Sequence, residues 1–195
     1  MKTVILCGGK GTRIRGAAGD MPKPLLNIAG VPLVVRLMQQ FSTFGHNSFV
    51  LCLGHRADEF KDFFASADLP QDWQVELLDT GENSMTGSRL WQTQNLVGDN
   101  FFLCYGDTLS DVDINQLLDF HLQHEKVATL TAVNPRSDYG MLKIGDGDLV
   151  EHFHEKSVQF DQWINGGFFV LSKRVFDYLD DDQQLVFERR PLERL

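Results

Sequence analysis

The feature that most constrains the fold is an apolar run that ends abruptly in a glycine-rich, basic loop. Residues 4–13 read V-I-L-C-G-G-K-G-T-R, and a second basic motif, P-K-P, follows at 22–24. The apolar run predicts a β-strand, and the glycines allow backbone N–H groups to approach a ligand without an intervening Cβ. Together with the nearby cations, these groups favour a phosphate-rich ligand such as a triphosphate.

Two common phosphate-binding loops do not fit this spacing. A dinucleotide-binding turn, G-x-G-x-x-G, requires a third glycine at position 14, where the chain has Ile14. A P-loop ends in G-K-[ST], whereas Lys10 is followed by Gly11. The alternative is a glycine turn without a chemical role, which the preceding strand and the basic motif at 22–24 argue against.

Strand-like and helix-like segments alternate along the first part of the chain. Continuous apolar runs predict strands at 3–7, 48–53, 73–78 and 101–105. Apolar residues at helical spacing predict helices at 31–44, 57–64 and 113–124. This alternation predicts an α/β fold with an open, mostly parallel sheet, in which ligands bind outside the carboxyl ends of the strands.

After residue 127 the pattern changes to closely spaced strand candidates and a short helix-like segment. They lie at 128–133, 140–144, 149–154, 167–171 and, for the helix-like segment, 173–179. Their spacing predicts an antiparallel or mixed extension of the sheet. Because no linker or repeat interrupts the pattern, we expect one domain over residues 1–195.

Composition excludes several functional classes. The formal net charge of −9 over 195 residues argues against binding to nucleic acid or to an anionic membrane surface. The sequence shows neither a transmembrane segment nor a signal peptide, so we expect a cytoplasmic protein. Cys7, Cys52 and Cys104 each lie in an apolar run, where cysteine usually serves as a small hydrophobic residue.

Asp107 follows an apolar run, within Y-G-D at 105–107, at the predicted end of a strand. Parallel strands share one carboxyl edge, so we expect this carboxylate near the glycine loop. Mg²⁺ binds one or two protein carboxylates and completes its octahedron with water and substrate phosphates. The alternative is that Asp107 is a turn residue ahead of the helix at 113–124, although Asp111 and Asp113 are better cap candidates.

Two further groups of segments are rich in hydrogen-bonding side chains. D-T-G at 79–81 and S-M-T-G-S-R at 84–89 precede a helical segment near Ser88 and suit contacts with a nucleobase or ribose. E-K at 155–156 and N-G-G at 165–167 lie at predicted strand ends and suit sugar hydroxyls and a sugar phosphate. The alternatives are an ordinary polar loop capped by Ser88, and a solvated lysine near a tight turn.

In this order and spacing, the motifs resemble those of the sugar-1-phosphate nucleotidyltransferases, in particular the glucose-1-phosphate cytidylyltransferase branch. The shared motifs are G-G-K-G-T-R at 8–13, P-K-P at 22–24, D-T-G at 79–81, S-M-T-G-S-R-L at 84–90, Y-G-D at 105–107, E-K at 155–156 and N-G-G-F-F-V-L at 165–171. The resemblance implies a three-layer α/β/α Rossmann-like fold with a mostly parallel, mixed central sheet. It also implies Mg²⁺-dependent transfer of a nucleotidyl group, from CTP in this branch, to a sugar-1-phosphate such as glucose-1-phosphate, for polysaccharide biosynthesis.

The resemblance further implies roles for individual residues. Two are implied in catalysis: Arg13 and Lys23. Nine are implied at the nucleotide: Leu6, Gly8, Gly9, Gly11, Thr12, Ser84, Thr86, Gly87 and Arg89. Four are implied at the sugar and its phosphate: Glu155, Lys156, Asn165 and Gly166. Asp107 is implied as the ligand of Mg²⁺.

Three departures from the family pattern bear on specificity. Ser157 replaces the usual proline after E-K, and Thr108 replaces a glycine after Y-G-D. The segment 64–75 is shorter than in the cytidylyltransferase branch. The chain ends at Leu195, so we expect it to lack the C-terminal segment in which relatives carry a second metal-binding aspartate and part of the sugar pocket.

Two other interpretations therefore stay open. One is a non-catalytic module that binds a nucleotide or sugar phosphate without turnover. The other is a nucleotidyltransferase that acts on a non-sugar phosphate. Trp163 and Phe187 fit either a core or a subunit interface, which leaves a homo-oligomer open as well.

Overall fold

The computed structural model describes residues 1–11, 21–135, 140–155 and 163–195. The strands are β1 (Lys2–Leu6), β2 (Asn27–Ile28), β3 (Val31–Pro32), β4 (Ser48–Leu53), β5 (Gln74–Asp79), β6 (Asn100–Tyr105), β7 (Ala128–Val133), β8 (Met141–Ile144), β9 (Val150–His154) and β10 (Ile164–Ser172). The α-helices are α1 (Leu33–Thr43), α2 (Ala57–Ser66), α3 (Thr86–Trp91), α4 (Ile114–His124) and α5 (Arg190–Arg194). Short 3-10 helices span Lys23–Leu25, Asp146–Asp148 and Lys173–Tyr178.

The central sheet has six strands in the order β5-β4-β1-β6-β10-β7. β1 pairs in parallel with β4 and β6, and β10 runs antiparallel to both of its neighbours. The predicted mostly parallel, mixed sheet is therefore confirmed. Because Leu6 is in register with Tyr105, the loops that follow β1 and β6 leave the sheet side by side.

Alternating residues of the strands divide the core into two apolar layers, one on each face of the sheet. On one face, side chains such as Ile5 and Leu51 pack with helix residues that include Phe41 and Phe60. On the other face, Val4 and Val50 pack with residues of α3 and of the C-terminal segment, among them Phe187. Phe187 is thus a core residue, and the three-layer arrangement predicted from the resemblance is confirmed.

Two predicted elements differ from the structure. The strand candidates at 140–144 and 149–154 form a separate two-stranded sheet, β8–β9, rather than extending the central sheet. The two strands pair with each other through the turn at 145–148. The Gly145 N–H closes this turn by donating to Leu149 O at 2.8 Å. The helix-like segment at 173–179 is a 3-10 helix, Lys173–Tyr178, whose Val175 alone is buried.

Local sequence signals were reliable where a single side chain satisfies the backbone. Asp113 caps α4, as predicted, by accepting a hydrogen bond from the Gln116 N–H at 2.9 Å. The three cysteines are buried and free, in agreement with their predicted packing role. Within the described ranges, no helix is both long and apolar enough to cross a membrane.

Candidate nucleotidyl-transfer site

A cleft of about 1170 Å³ lies at the carboxyl ends of β1 and β6. The glycine loop after β1 forms one wall, and the loop between β5 and α3 forms another. Many of the predicted site residues line it: Leu6, Gly8, Gly9, Gly11, Lys23, Ser84, Thr86, Arg89 and Asp107. Thr12, Arg13 and Lys156 lie outside the described residues, so their predicted roles stay predictions.

The glycine loop is anchored at its start and open towards the cleft. The Cys7 N–H donates to Cys52 O at 2.9 Å, which continues the pairing of β1 with β4. Gly11 has a φ of +58°, in the left-handed region that favours glycine. At Gly9, a Cβ would meet no atom within 4 Å, so this part of the loop faces open space.

Lys23 and Asp107 form an ion pair at the cleft, with 2.7 Å between Lys23 Nζ and Asp107 Oδ2. Lys23 begins a 3-10 helix that is anchored by the buried Pro24 and Leu25. Asp107 is placed by Gly106, whose N–H donates to Leu6 O at 3.0 Å. A Cβ at Gly106 would lie 2.8 Å from Cys7 Sγ, so only glycine allows the loop after β6 to pack this closely against β1.

Arg89 occupies the base of the cleft rather than its open space. Its side chain comes from α3, and the residue is only 4% exposed. The guanidinium donates to backbone carbonyls and one hydroxyl at the ends of three strands: Leu53 O, Thr80 Oγ1, Gly81 O, Glu82 O and Gly8 O. Burial lowers the pKa of this guanidinium from its ordinary value.

The opposite wall carries short polar side chains that are partly bonded to one another. The Ser84 hydroxyl donates to Thr80 O at 2.5 Å, which closes the turn ahead of α3. Lys10 Nζ reaches across the cleft and donates to Asn83 Oδ1 at 3.3 Å. Glu82 pairs with His55 at 3.0 Å, and this interaction lowers the pKa of the Glu82 carboxyl.

Thr86 and Gly87 contact a C-terminal segment, residues 183–188, which we call the strap. The Gly87 N–H donates to Leu185 O at 2.9 Å, and a Cβ on Gly87 would lie 2.8 Å from that oxygen. The Thr86 hydroxyl donates to Glu188 Oε2 at 2.6 Å. Gly87 does not line the cleft. A glycine is needed at this position because the strap leaves no room for a Cβ.

Glu188 is a cleft residue that sequence reasoning missed. Besides Thr86, the Tyr105 hydroxyl donates to its carboxylate, at 2.5 Å. Burial, followed by the contact with Glu188, raises the pKa of Tyr105, so the phenol stays a hydrogen-bond donor. No spacing rule predicts this contact, because Glu188 and Thr86 are 102 residues apart in the chain.

Of the residues predicted at the sugar, the described ones, Glu155, Asn165 and Gly166, are not among the residues that line the cleft. Asn165 Nδ2 donates to the Tyr105 hydroxyl at 3.2 Å, and Asn165 Oδ1 accepts from the Gly167 N–H at 2.8 Å. Gly166 packs against β7, where a Cβ would lie 2.7 Å from Thr131 Oγ1. Glu155 is exposed directly after β9. Asn165 therefore reaches the cleft through Tyr105.

This arrangement suits the binding of anions better than nucleophilic attack by a side chain. Lys10 and Lys23 bring positive charge to the cleft, and the loop from Gly8 to Gly11 brings backbone donors. Cys7, which also lines the cleft, is fully buried, and burial raises the pKa of its thiol well above the usual value. The thiol therefore stays protonated and unreactive at neutral pH.

Comparison with known proteins shows the family to which the chain is related. The model of the nucleotidyl transferase family matches residues 2–189. A probable glucose-1-phosphate cytidylyltransferase of Bacillus subtilis is 37% identical over all of this chain and 84% of its own length. The glucose-1-phosphate cytidylyltransferase of Salmonella typhimurium is 38% identical over 98% of this chain and 82% of its own. A crystal structure of HddC from Yersinia pseudotuberculosis, complexed with GMP-PN, superposes with a TM-score of 0.76 at 28% identity, covering 100% of this chain and 86% of that one.

Proposed function

This chain belongs to the nucleotidyl transferase family, and we propose that it transfers a cytidylyl group from CTP to glucose-1-phosphate. The products are CDP-glucose, a nucleotide sugar, and pyrophosphate. The observation that carries the proposal is the Lys23–Asp107 pair, which lies beside the glycine loop at the shared carboxyl edge of β1 and β6. The choice of cytidine and glucose rests on the two relatives that are 37% and 38% identical.

The chemistry of the transfer needs positioning and positive charge. An oxygen of the sugar phosphate attacks the α-phosphorus of the triphosphate, and the bond from that phosphorus to the departing pyrophosphate breaks in line. The attacking group is already an anion, so no general base is required. Two anions must approach each other, and the cations and amides of the cleft offset their repulsion.

Lys23 is the described cation best placed to act on the transferring group. Its ammonium lies at the cleft, 2.7 Å from a carboxylate that holds it in place, and its side chain is 31% exposed. We assign the nucleotide phosphates to the glycine loop, together with Thr12 and Arg13, and the nucleoside to Ser84 and Thr86. The sugar and its phosphate are assigned to Glu155, Lys156, Asn165 and Gly166.

Asp107 fits the requirements of a divalent cation, which enzymes of this family generally use and which we take to be Mg²⁺. Its carboxylate supplies the oxygen donors that Mg²⁺ prefers, at the side of the cleft where the phosphates would lie. Among the described residues, no group of three or more His, Cys, Asp or Glu side chains could hold an ion, so phosphate oxygens and water would complete the ligand set. When bound there, Mg²⁺ would supply positive charge to the departing pyrophosphate.

Pyrophosphate release tests the proposal. The purified protein is incubated with Mg²⁺ and each common nucleoside triphosphate, against a panel of sugar-1-phosphates widened to polyol and choline phosphates. We expect the highest kcat/KM for CTP with glucose-1-phosphate. Higher kcat/KM for GTP, or for a non-sugar phosphate, would overturn the assignment of base or acceptor.

The same assay addresses the non-catalytic interpretation. Nucleotide binding is measured in parallel by calorimetry, with Mg²⁺ present and absent. Tight nucleotide binding without release for any pair of substrates would identify a binding module and overturn the proposed transfer. Release for at least one pair excludes that interpretation.

A further inference from the structure

Arg89 is an unusual residue for the base of an anion-binding cleft, because both terminal nitrogens of its guanidinium, Nη1 and Nη2, already donate to the protein. Its hydrogen bonds to Leu53 O and Gly81 O measure 2.7 and 3.0 Å. On the other side of the guanidinium, Nη2 donates to Gly8 O at 2.9 Å. One side chain thus joins the ends of β1, β4 and β5, and both of its terminal nitrogens are directed at protein acceptors.

Two glycines lie against the guanidinium. A Cβ built on Gly8 would lie 2.2 Å from Arg89 Cζ, and one on Gly54 would lie 2.3 Å from Arg89 Nη1. At both positions the three nearest atoms belong to this guanidinium, and neither glycine has a φ in the left-handed region. Both positions therefore require glycine because of the space that Arg89 occupies and not because of backbone strain.

The bond to Gly8 O fixes the orientation of one peptide in the glycine loop. Gly8 O accepts from Arg89 and also from the His55 N–H, at 3.3 Å. Because a trans peptide is planar, a carbonyl that points to the base of the cleft turns the following N–H, that of Gly9, in the opposite direction. Among the described residues no acceptor binds the Gly9 N–H, so this donor is available to a ligand.

Charge adds to this geometric effect. The acceptors of the guanidinium are uncharged oxygens, four backbone carbonyls and the hydroxyl of Thr80. The buried cation therefore keeps an electrostatic field that attracts anions to the glycine loop, since screening is weak in a buried site.

We propose that Arg89 is the positioning residue of the glycine loop: it does not contact the nucleotide, but it orients the Gly8–Gly9 peptide and the adjacent amides towards the triphosphate. The resemblance had implied that Arg89 lies at the nucleotide itself. The identity of the ligand rests on the proposed function, whereas the orientation of the loop does not.

The test compares Arg89→Lys with a matched control, Arg36→Lys. Arg36 also donates to backbone carbonyls, those of Ile28 and Ala29 at 2.7 and 3.1 Å, but it holds the β2–β3 turn outside the cleft. Lysine keeps the charge and loses the planar fork, so R89K should raise the Kd and KM for the nucleoside triphosphate roughly 10- to 100-fold, with a smaller change in kcat. R36K should leave both within about 2-fold, since surface changes away from such features have small effects.

A second variant acts on Arg89 without altering any residue that lines the cleft. Gly54→Ala places a methyl group where the guanidinium lies, so we expect a rise in KM of the same kind as in R89K. In an Arg89→Ala background that methyl group has room, and G54A should change KM by less than about 2-fold. A stability defect alone would lower the active fraction and hence kcat, and it would leave KM unchanged. Additive effects of G54A and R89A would contradict the proposal.

A measurement on the free protein separates this proposal from the proposed function. Backbone order parameters from ¹⁵N relaxation should be near 0.85 for Gly9 and Lys10 in the wild type and in R36K, and below about 0.6 in R89K and G54A. Unchanged order parameters in both R89K and G54A would overturn the positioning role, whatever the activity. Ordered loops in a wild-type protein that binds no triphosphate would overturn the proposed function and support the positioning role.

Discussion

The parallel half of the central sheet and the β8–β9 hairpin differ in how deeply their side chains are buried. Around β1 and β4, buried hydrogen bonds fix the geometry, as at Arg89, which is 4% exposed. At the hairpin and the start of β10, large apolar residues are exposed, with Phe153 at 60% and Trp163 at 64%. Buried polar groups must be satisfied within the protein and so have one arrangement, whereas exposed groups can bond to water in several.

This contrast bears on the two substrates. The described residues assigned to the triphosphate, Gly8, Gly9 and Gly11, lie in the part of the cleft next to the buried contacts of Arg89. Of the residues assigned to the sugar, Glu155 is exposed directly after β9, and Asn165 contacts the cleft lining through Tyr105. We therefore expect changes in the parallel half to affect turnover most, and changes beyond β6 to affect it least.

Lys23→Ala should have the largest effect. Removing the ammonium takes away a donor that acts on developing negative charge, so kcat should fall roughly 100- to 1,000-fold. The thermal midpoint should change little, because the side chain is partly exposed and its ion pair is worth little. Arg13→Ala should behave in the same way.

The matched control is Lys61→Ala, which removes an exposed lysine paired with Asp58 on α2, outside the cleft. Turnover by K61A should match the wild type. Near-normal turnover by both K23A and R13A would refute the assignment of the catalytic cations.

Local signals in the sequence predicted the sheet and the Asp113 cap, but they did not predict how Arg89 is used. A strand is encoded by a few consecutive apolar residues, and a cap by one side chain and a nearby N–H. Four of the five described acceptors of Arg89 are backbone carbonyls near the ends of three strands, and a backbone carbonyl has no signature in the sequence. An arginine at the end of a motif therefore has the same sequence pattern whether it binds substrate or the protein itself.

Glu188 and the hairpin were missed for a related reason. The carboxylate of Glu188 accepts from Thr86 and Tyr105, which are 102 and 83 residues away in the chain. The two hairpin segments were predicted correctly as strands, but their assignment to the central sheet was wrong. The sequence pattern of a strand does not indicate which sheet the strand joins. By contrast, the position of Asp107 in the same cleft as the glycine loop followed from the rule that parallel strands share a carboxyl edge.

Gly87→Ala should have the second-largest effect and test whether this glycine serves the strap. A Cβ here would lie 2.8 Å from both Leu185 O and Leu185 Cγ, so the strap must move. We expect the free energy of unfolding to fall by about 1–3 kcal/mol, as for overpacked sites, measured by urea denaturation. The control is Gly98→Ala, where a Cβ would meet nothing within 4 Å. Equal stability of G87A and G98A would show that contact with the strap does not require a glycine at position 87.

Glu188→Ala should have a smaller effect and test the link between the two regions. It leaves the hydroxyls of Thr86 and Tyr105 without their shared acceptor, which should lower the free energy of unfolding by about 1 kcal/mol. The Tyr105 hydroxyl accepts a hydrogen bond from Asn165, a residue assigned to the sugar. The KM for the sugar phosphate should therefore rise more than the KM for the nucleotide. Glu193→Ala removes an exposed glutamate of α5 and serves as the control. A rise confined to the KM for the nucleotide would contradict this prediction and show that Glu188 supports nucleotide binding instead.

His121→Gln should have the smallest effect, at the far edge of the sheet. His121 is buried between Thr129 and Asn100, and burial lowers its pKa below the ordinary value of 6.5. In the folded protein the neutral form is favoured, so below pH 6.5 the unfolded chain binds more protons and stability falls as the pH falls towards the lowered pKa. The slope cannot exceed about 1.4 kcal/mol per pH unit for one group. Urea unfolding between pH 5 and 7.5 should give a shallower slope for H121Q than for the wild type. Burial also lowers the pKa of His46, but its contribution to the slope is present in both proteins and cancels in the comparison. Identical slopes would show that His121 is protonated equally in the folded and unfolded chains.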